Sequence, residues 1–303
     1  MIKLFSIRKI LIASLLLLVA LILYSYPEEL DDNVIENKYD SIHIYLIDSN
    51  NYVAMTSIIS KENDFEYKLK TIIDGLTIGS NNIPKGFSSI IPRDTKLIDY
   101  SLNEGLLKVN FSKEFLNVGV EDEDRMIQSI VYSLTTLDDV DKVMIFVEGS
   151  ILDKLPNSHK RLDTYLDRSY GINKVIDIDK LSGSSCVTIY YLGKNNSFVP
   201  VSYITNDNDD KIEIIVNSLK TNRFNSSNLS SHLDYQVELM NYERVDDEFF
   251  LNFSDSLLSS VYDGKLKEEV KYALSYSIFD TFNVENVVFM INSNKIDELR
   301  LAK

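Results

Sequence analysis

Residues 106–149, LLKVNFSKEFLNVGVEDEDRMIQSIVYSLTTLDDVDKVMIFVEG, decide the fold of this chain. Apolar and polar residues alternate over residues 107–111, as in a half-buried strand. Apolar residues then recur at helical spacing over residues 126–137, and residues 143–147 form a second apolar run. The stretch therefore predicts a strand, an amphipathic helix and a buried strand, and none of its residues is typical of catalysis.

The same unit returns, much altered, near the C-terminus over residues 250–292. The Asn-Phe-Ser corner at 110–112 reappears at 252–254, and an upstream Ile-Tyr pair ending at Tyr45 is echoed by one ending at Tyr190. A chain that states a supersecondary unit twice in the same order indicates a duplicated domain. The Asn and Ser of the corner are interpreted as hydrogen-bonding groups of a turn, with a polar binding site as the weaker alternative.

Each copy also contains an earlier amphipathic helix. Four apolar residues share one helical face in each copy: Leu69, Ile72, Ile73 and Leu76 in the first, and Ile212, Ile215, Val216 and Leu219 in the second. Acidic or Asn-rich residues precede these helices at 62–64 and 207–210, where free N–H groups favour them. A calcium loop at 207–210 is the weaker alternative, because the glycine and the distant glutamate of such a loop are missing.

These patterns predict an α+β fold of two tandem ββαββαβ domains, each a small mixed sheet with two helices packed on it. We place a signal-anchor or transmembrane segment at residues 1–26, a juxtamembrane linker at 27–40, the first domain at 41–176, a linker at 177–186 and the second, diverged domain at 187–303. A Ser/Gly cluster marks the second linker.

The N-terminal segment predicts membrane attachment. Lys3, Arg8 and Lys9 precede an uncharged apolar run, which extends with two tyrosines over residues 10–26, a length of 17 residues at the lower limit for crossing a bilayer. A cleaved signal peptide is the alternative, but the small residues of a cleavage site are lacking. Basic residues before the run and acidic residues after it predict a single-pass protein of the cell membrane with the bulk of the chain outside the cytoplasm.

Composition argues against several classes of function. The net charge of −15 disfavours nucleic acid as a partner, because nucleic acid requires clustered Lys and Arg. Cys186 is the only cysteine, so neither a disulfide framework nor a thiolate metal site is expected. His43, His159 and His232 are scattered, and no nucleotide-binding or nucleophile motif occurs. We therefore predict no enzyme activity, no cofactor, and no catalytic, cofactor-binding or metal-binding residue.

Short motifs of the first copy carry a resemblance to a known family: Ile-Ile-Asp-Gly-Leu at 72–76, Ile-Pro-Arg-Asp-Thr at 91–95, Val-Asn-Phe-Ser at 109–112, the helix around 130–135, and Glu-Gly at 148–149. In order and spacing they resemble the GerM domain of sporulation and germination proteins, which usually occurs in tandem. The second copy keeps the Asn-Phe-Ser corner and the Tyr276-Ser277 pair but lacks the first two motifs. It therefore resembles a diverged member of the family.

The resemblance implies a non-enzymatic module similar to the ring-building modules of secretion systems. Its expected partners are other envelope or sporulation channel proteins, in a homo- or hetero-oligomeric ring or channel between mother cell and forespore, in the intermembrane space. The family's sporulation protein is typically a lipoprotein, whereas this chain has no cysteine near its apolar segment and would be held by residues 10–26. A cell-wall module that binds peptidoglycan or another polysaccharide through some of the 18 tyrosines is the alternative.

Overall fold

The computed structural model describes most of the two repeats. The described ranges are residues 40–176, 184–194, 197–206, 209–221 and 228–301. The predicted membrane segment at 10–26, the juxtamembrane linker up to residue 39 and the start of the second linker lie outside the described residues. Within the described ranges, no helix combines the length and the hydropathy needed to span a bilayer.

The described elements follow the order expected for a duplicated unit. The helices are α1 (Phe65–Leu76), α2 (Glu123–Leu134), α3 (Lys211–Thr221) and α4 (Glu268–Phe282). The strands of the first repeat are β1 (Asp40–Asp48), β2 (Val53–Ser60), β3 (Phe87–Ser88), β4 (Leu97–Asn103), β5 (Leu106–Phe111), β6 (Lys142–Val147), β7 (Ser150–Ile151) and β8 (Val175–Ile176). Those of the second are β9 (Ser184–Leu192), β10 (Phe198–Asn206), β11 (Leu239–Val245), β12 (Glu248–Phe253), β13 (Val261–Tyr262), β14 (Lys265–Leu266), β15 (Asn286–Ile291) and β16 (Asn294–Arg300).

Each repeat contains a four-stranded mixed sheet, as the α+β prediction requires. The strand orders are β4-β5-β6-β7 and β11-β12-β15-β16, and β5 pairs with β6 in parallel, as β12 does with β15. The parallel pairs are joined through α2 and α4, respectively. Interior position explains why β6 and β15 are apolar on both faces, since helices and neighbouring strands leave neither face to water.

Besides these two mixed sheets the structure has a sheet that both repeats share, which the prediction of one small mixed sheet for each repeat does not include. The β1–β2 hairpin of the first repeat and the β9–β10 hairpin of the second belong to a common six-stranded sheet with β3 and β8. The two hairpins meet where β2 and β10 pair antiparallel at Met55 and Phe198. Each hairpin thus lies outside the mixed sheet of its own repeat and pairs with the hairpin of the other repeat. The described parts of both repeats therefore form one compact unit.

Asn173 completes the contact between the hairpins at a point where strand pairing fails. Pro200 on β10 has no N–H to donate, so the ladder cannot continue past it. The Asn173 side chain lies between the strands, where Nδ2 donates to the carbonyls of Val53 at 2.8 Å and Pro200 at 2.7 Å, and Oδ1 accepts from the Val53 N–H at 3.0 Å. Asn173 has a φ of 45°, a left-handed conformation that asparagine tolerates.

The helix starts are those that the sequence predicts. Asp64 caps α1 by accepting a hydrogen bond from the N–H of Tyr67 at 3.1 Å. Asp210 plays the same part before α3, accepting from the N–H groups of Ile212 at 2.9 Å and Glu213 at 3.2 Å. The eight apolar residues assigned to the helical faces are all buried. The hydrogen bonds of Asp210 therefore fit a capped helix start.

One strand prediction fails in the second repeat. The alternation at Tyr235, Val237 and Leu239 predicts a strand, but residues 234–237 form a turn and β11 begins only at Leu239. The Asp234 carboxylate accepts from the N–H of Gln236 at 2.9 Å, and its carbonyl accepts from the N–H of Val237 at 3.1 Å. These local bonds compete with strand pairing, as is common for aspartate.

The domain boundaries stay predictions. The strand β9 begins at Ser184, within the predicted linker at 177–186, and the residues before it from 177 to 183 lie outside the described ranges. Two hydrophobic clusters fill the structure, one dominated by each repeat.

Candidate functional site at the junction of the repeats

Two equivalent serines attach the long helices to the hairpin edges. Ser133 on α2 accepts a hydrogen bond from the backbone N–H of Tyr45 on β1 at 2.8 Å. Ser277 on α4 accepts one from the backbone N–H of Tyr190 on β9 at 2.9 Å. These N–H groups point out of the sheet edge, and without the hydroxyls they would be buried and unpaired. The serines therefore fix each helix against its strand in the same register.

The same two tyrosines join the repeats through their side chains. The hydroxyls of Tyr45 and Tyr190 lie 2.9 Å apart, and both side chains are fully buried. Buried hydroxyls cost free energy unless they are hydrogen-bonded, so each repeat here satisfies a polar group of the other. Equivalent residues of the two copies thus meet at the centre of the junction.

A buried ion pair lies beside this contact. Arg168, in the segment between β7 and β8, forms a salt bridge with Asp280 on α4. The Asp280 side chain is only 6% exposed, and its second oxygen accepts from the Tyr190 hydroxyl at 2.6 Å. Arg168 Nε also donates to Thr135 Oγ1 at 3.0 Å, and Nη2 donates to the Tyr132 carbonyl at 3.3 Å. A charged pair so fully hydrogen-bonded holds the two repeats in one arrangement.

The electrostatics of this cluster keep its protons in place. Burial raises the pKa of Tyr45, Tyr132 and Tyr190 above the ordinary value for a tyrosine, so all three stay neutral. Burial alone would lower the pKa of Arg168, but the Asp280 carboxylate together with the three tyrosines outweighs it, and the pKa lies well above its usual range. The guanidinium also lies 5.0 Å from the centre of the Tyr132 ring. The three tyrosines therefore stay protonated and Arg168 stays charged at neutral pH, which keeps their hydrogen bonds between the repeats fixed.

The duplicated Asn-Phe-Ser corners are structural, as interpreted from the sequence. Asn110 Oδ1 accepts from the N–H of Gly149 at 3.0 Å, and Asn252 Oδ1 accepts from the N–H of Ser293 at 2.8 Å. Each asparagine thereby ties the end of one strand to the turn after the neighbouring parallel strand. The phenylalanine between the polar residues is fully buried in both copies. These bonds account for the polar groups without a ligand.

The histidine and cysteine side chains are not brought together into one site. His43 lies on β1, whereas His159 and His232 lie in separate loops. Burial and the nearby Arg168 charge lower the pKa of His43. Burial raises the pKa of the Cys186 thiol on β9. In the part of the chain that the structure describes, no three His, Cys, Asp or Glu side chains are grouped to hold a metal ion.

Sequence reasoning missed a groove of about 580 Å³ at the junction. It is lined by His43, Met55, Thr56, Ser57, Phe87, Ser197, Phe198, Tyr272, Tyr276, Phe279, Leu299, Arg300 and Leu301. The rings of Tyr272 and Tyr276 stack at 5.7 Å, and His43 meets Tyr276 edge-on at 6.0 Å. The spacing of Tyr272 and Tyr276, one helical turn apart, was the available sequence signal, but tyrosines at that spacing more often pack in a core.

Comparison with known proteins gives a consistent relationship. Residues 43–153 match the family model described as "Germane: Sporulation and spore germination". The chain is 29% identical over 260 residues to the spore germination protein GerM of Bacillus subtilis (strain 168), a match that covers 82% of this chain and 70% of that protein. The tandem GerMN domains of Bacillus subtilis GerM have the same fold, with a TM-score of 0.75 at 24% identity over 84% of this chain and 92% of that one.

The matched family region covers the first repeat, and the structural match extends through the second. The duplicated serine contacts and Asn-Phe-Ser corners show independently that the second repeat is a copy of the first. Residues 43–153 therefore form a Germane domain, and the chain has the tandem arrangement of GerMN domains found in GerM of Bacillus subtilis.

Proposed function

We propose that this chain is a non-enzymatic assembly protein of sporulation or spore germination, and that its two domains act as one body within an extracytoplasmic ring or channel complex between mother cell and forespore. The observation that carries the proposal is the junction, where the shared sheet and the Arg168–Asp280 ion pair connect two copies of a single module. A fixed relative orientation suits a subunit that must present the same surfaces to its neighbours in every copy of a complex.

Similarity to a spore germination protein supports the biological setting of this proposal. The chemistry of the junction supports a binding role over a catalytic one, because its buried polar groups bond one another and hold their protons. We further propose that residues 10–26 anchor the chain in the cell membrane and that the two domains face the intermembrane space. Other envelope or sporulation channel proteins would then be the partners.

Deletion of the gene in a spore-forming host tests the biological role. We expect the deletion to reduce the yield of heat-resistant spores or their germination, and the full chain to restore it. Unchanged spore yield and germination would contradict the proposed role. The matched control is the same deletion strain carrying the chain without residues 10–26, which should fail to complement if membrane attachment is required.

Assembly itself is tested by crosslinking in sporulating cells. We expect the full chain to form crosslinked species with itself or with other envelope or sporulation channel proteins in membrane fractions. A chain that remains monomeric and uncrosslinked through sporulation would contradict the assembly role, even if the deletion has a phenotype.

Wall binding is the second candidate, and exposed tyrosines favour it. Tyr235 and Tyr262 are 72% and 80% exposed, and Tyr165 is also exposed. Aromatic rings in water offer stacking faces to sugars, although isolated exposed rings are also ordinary on surfaces. Sedimentation of the purified chain with isolated peptidoglycan, lost when Tyr235 and Tyr262 are both changed to Ala, would favour this function.

A further inference from the structure

We propose that the open edge of β2, together with the groove beside it, binds an extended, acidic segment of a partner protein as an added strand. This inference deepens the assembly function and rests on it, since it names the class of partner and the surface that receives it. Three independent features support it: unpaired backbone groups, an apolar groove, and a guanidinium that forms no salt bridge with a described residue.

The first feature is the edge of β2. Tyr45 directs its N–H out of the sheet to Ser133, so its partner Met55 directs its own backbone groups away from β1, toward β10. In an antiparallel ladder this orientation recurs at every second residue, which makes the backbone groups of Ser57 and Ile59 face outward. No described residue forms a hydrogen bond with those outward-facing groups.

The exposed side chain at this edge strengthens the argument. Ile59 is 59% exposed, although it lies on a regular strand. Free strand edges with apolar side chains are the places where proteins add a strand from another chain, unless charges, proline or a covering loop block them. Within the described residues, neither charge nor proline occurs between Val53 and Ser60, so nothing in the strand opposes pairing.

The second feature is the groove, which borders this edge through Thr56 and Ser57. Its walls include Phe198, Tyr276 and Leu301, so it is largely apolar. A strand added to β2 would place alternate side chains toward the groove and toward solvent. The groove volume of about 580 Å³ has room for two or more apolar side chains of such a segment.

The third feature is charge. None of the residues that line the groove is acidic, although the chain carries a net charge of −15. Arg300 is the one Lys or Arg among them, and its guanidinium forms no hydrogen bond or salt bridge with a described residue, although its charge helps to lower the pKa of Glu298. Its neighbour Glu298 is already engaged by Lys295 at 2.9 Å and by Asn286 at 3.2 Å. A guanidinium whose N–H donors are not used by described residues, at the rim of an apolar groove, favours an acidic residue in the occupant.

Peptide arrays provide the test, with the full chain purified in mild detergent as the probe. The arrays hold extended sequences of about ten residues that alternate apolar and polar positions, each in matched versions with Glu or Lys at the polar positions. We expect the wild-type chain to bind Glu versions about tenfold more tightly than Lys versions, as measured by fluorescence anisotropy of the strongest pairs. We expect Arg300→Glu to reverse that preference.

A matched pair of substitutions tests the strand edge. Ile59→Pro removes an outward-facing N–H without removing a bond to β1, and proline is tolerated on edge strands. Ile59→Thr keeps the N–H and a β-branched side chain. We expect Ile59→Pro to abolish peptide binding and Ile59→Thr to retain most of it, with both variants keeping the wild-type circular dichroism spectrum and Tm.

Several results would overturn the inference. Absence of peptide binding, equal binding of Glu and Lys versions, or equal binding by Ile59→Pro and wild type would each do so. Self-association that Ile59→Pro removes would assign the edge to a second copy instead. Peptidoglycan binding that Tyr276→Ala removes and Ile59→Pro leaves intact would assign the groove to a glycan. In the host, the Ile59→Pro strain could sporulate normally while the deletion strain is defective. That result would contradict partner binding at the β2 edge and groove, and it would leave the assembly function uncontradicted.

Discussion

At the scale of single residues, the Arg168–Asp280 pair is the interaction that most directly joins the repeats. The Asp280 carboxylate is buried and depends on Arg168 and on the Tyr190 hydroxyl for its bonds. Replacement of a buried ion pair by apolar residues can be nearly neutral, but removal of one partner leaves a buried charge without compensation. The pair therefore offers a clear test by substitution.

We expect Arg168→Ala to lower the free energy of unfolding by about 3–5 kcal/mol. Chemical denaturation, followed by circular dichroism, measures the change. The double variant Arg168→Leu/Asp280→Leu is the control, and it should lose less than Arg168→Ala alone because no charge is left unpaired. An Arg168→Ala loss below about 1 kcal/mol would mean that the pair is screened by water and contributes little.

The helix serines give a second test with an internal control. Ser133→Ala and Ser277→Ala each leave a buried strand N–H without an acceptor, so each should cost about 1–3 kcal/mol. Ser129 lies one turn before Ser133 on α2, is buried, and has an Oγ without a hydrogen-bond partner among the described residues. Ser129→Ala should therefore be nearly neutral or stabilising, and equal losses at Ser129 and Ser133 would contradict the role given to Ser133.

Acid sensitivity should reflect Asp124 at the start of α2. Burial alone would raise the pKa of Asp124, but the Tyr170 hydroxyl and the Lys174 and Lys160 charges lower it below its usual 3.8. A lowered folded-state pKa gives stability that is present above the unfolded value and is lost as the pH falls through the folded one. Asp124→Asn should be less stable than wild type at neutral pH, and the difference should shrink below about pH 3.8. A difference that is constant with pH would contradict this assignment.

At the scale of elements, the sequence predicts what local pattern controls. The strand at 106–111, the α1 and α3 faces and the buried strand β6 follow from alternation or helical spacing, and the structure confirms them. The shared sheet escapes prediction because it depends on the pairing of β2 with β10, whose residues are far apart in sequence. Alternation of apolar and polar residues also predicts a strand wrongly where a local hydrogen bond forms a turn instead, as at Asp234.

The candidate site is predictable to a smaller extent than the fold. The sequence marks Ser133 and Tyr190 through repeated motifs, although it does not reveal their hydrogen bonds. Arg168 lies in a segment without periodicity, 112 residues from Asp280, so no pattern connects the two. The groove arises only when both repeats are in place, because its walls come from both.

The Asn173 side chain, which bonds β2 and β10 to each other, offers a test at this scale. Asn173→Asp keeps the acceptor for the Val53 N–H but loses the donors to the Val53 and Pro200 carbonyls and sets a carboxylate against them. We expect a loss of about 1–3 kcal/mol, measured by denaturation. Asn173→Gly keeps the left-handed backbone without any side-chain bond and separates conformational from hydrogen-bonding effects. Wild-type stability of Asn173→Asp would show that the hydrogen bonds of Asn173 do not hold the hairpins together.

At the scale of the whole molecule, duplication has produced one body from two modules. Each copy retains its mixed sheet and its pair of helices, while the hairpins, the tyrosine contact and the ion pair connect the copies. A single copy would expose the edge of its hairpin and bury no partner for Tyr45 or Tyr190. The joined form also creates the groove, so a surface available for assembly depends on the junction.

Differential scanning calorimetry of the full chain tests this unity most directly. We expect a single transition in which the calorimetric and van't Hoff enthalpies agree, because both repeats share a sheet and a buried charged junction. Arg168→Ala should shift that transition to lower temperature or split it. Two separate transitions in the wild-type chain, unaffected by Arg168→Ala, would contradict the conclusion that the repeats form one cooperative body.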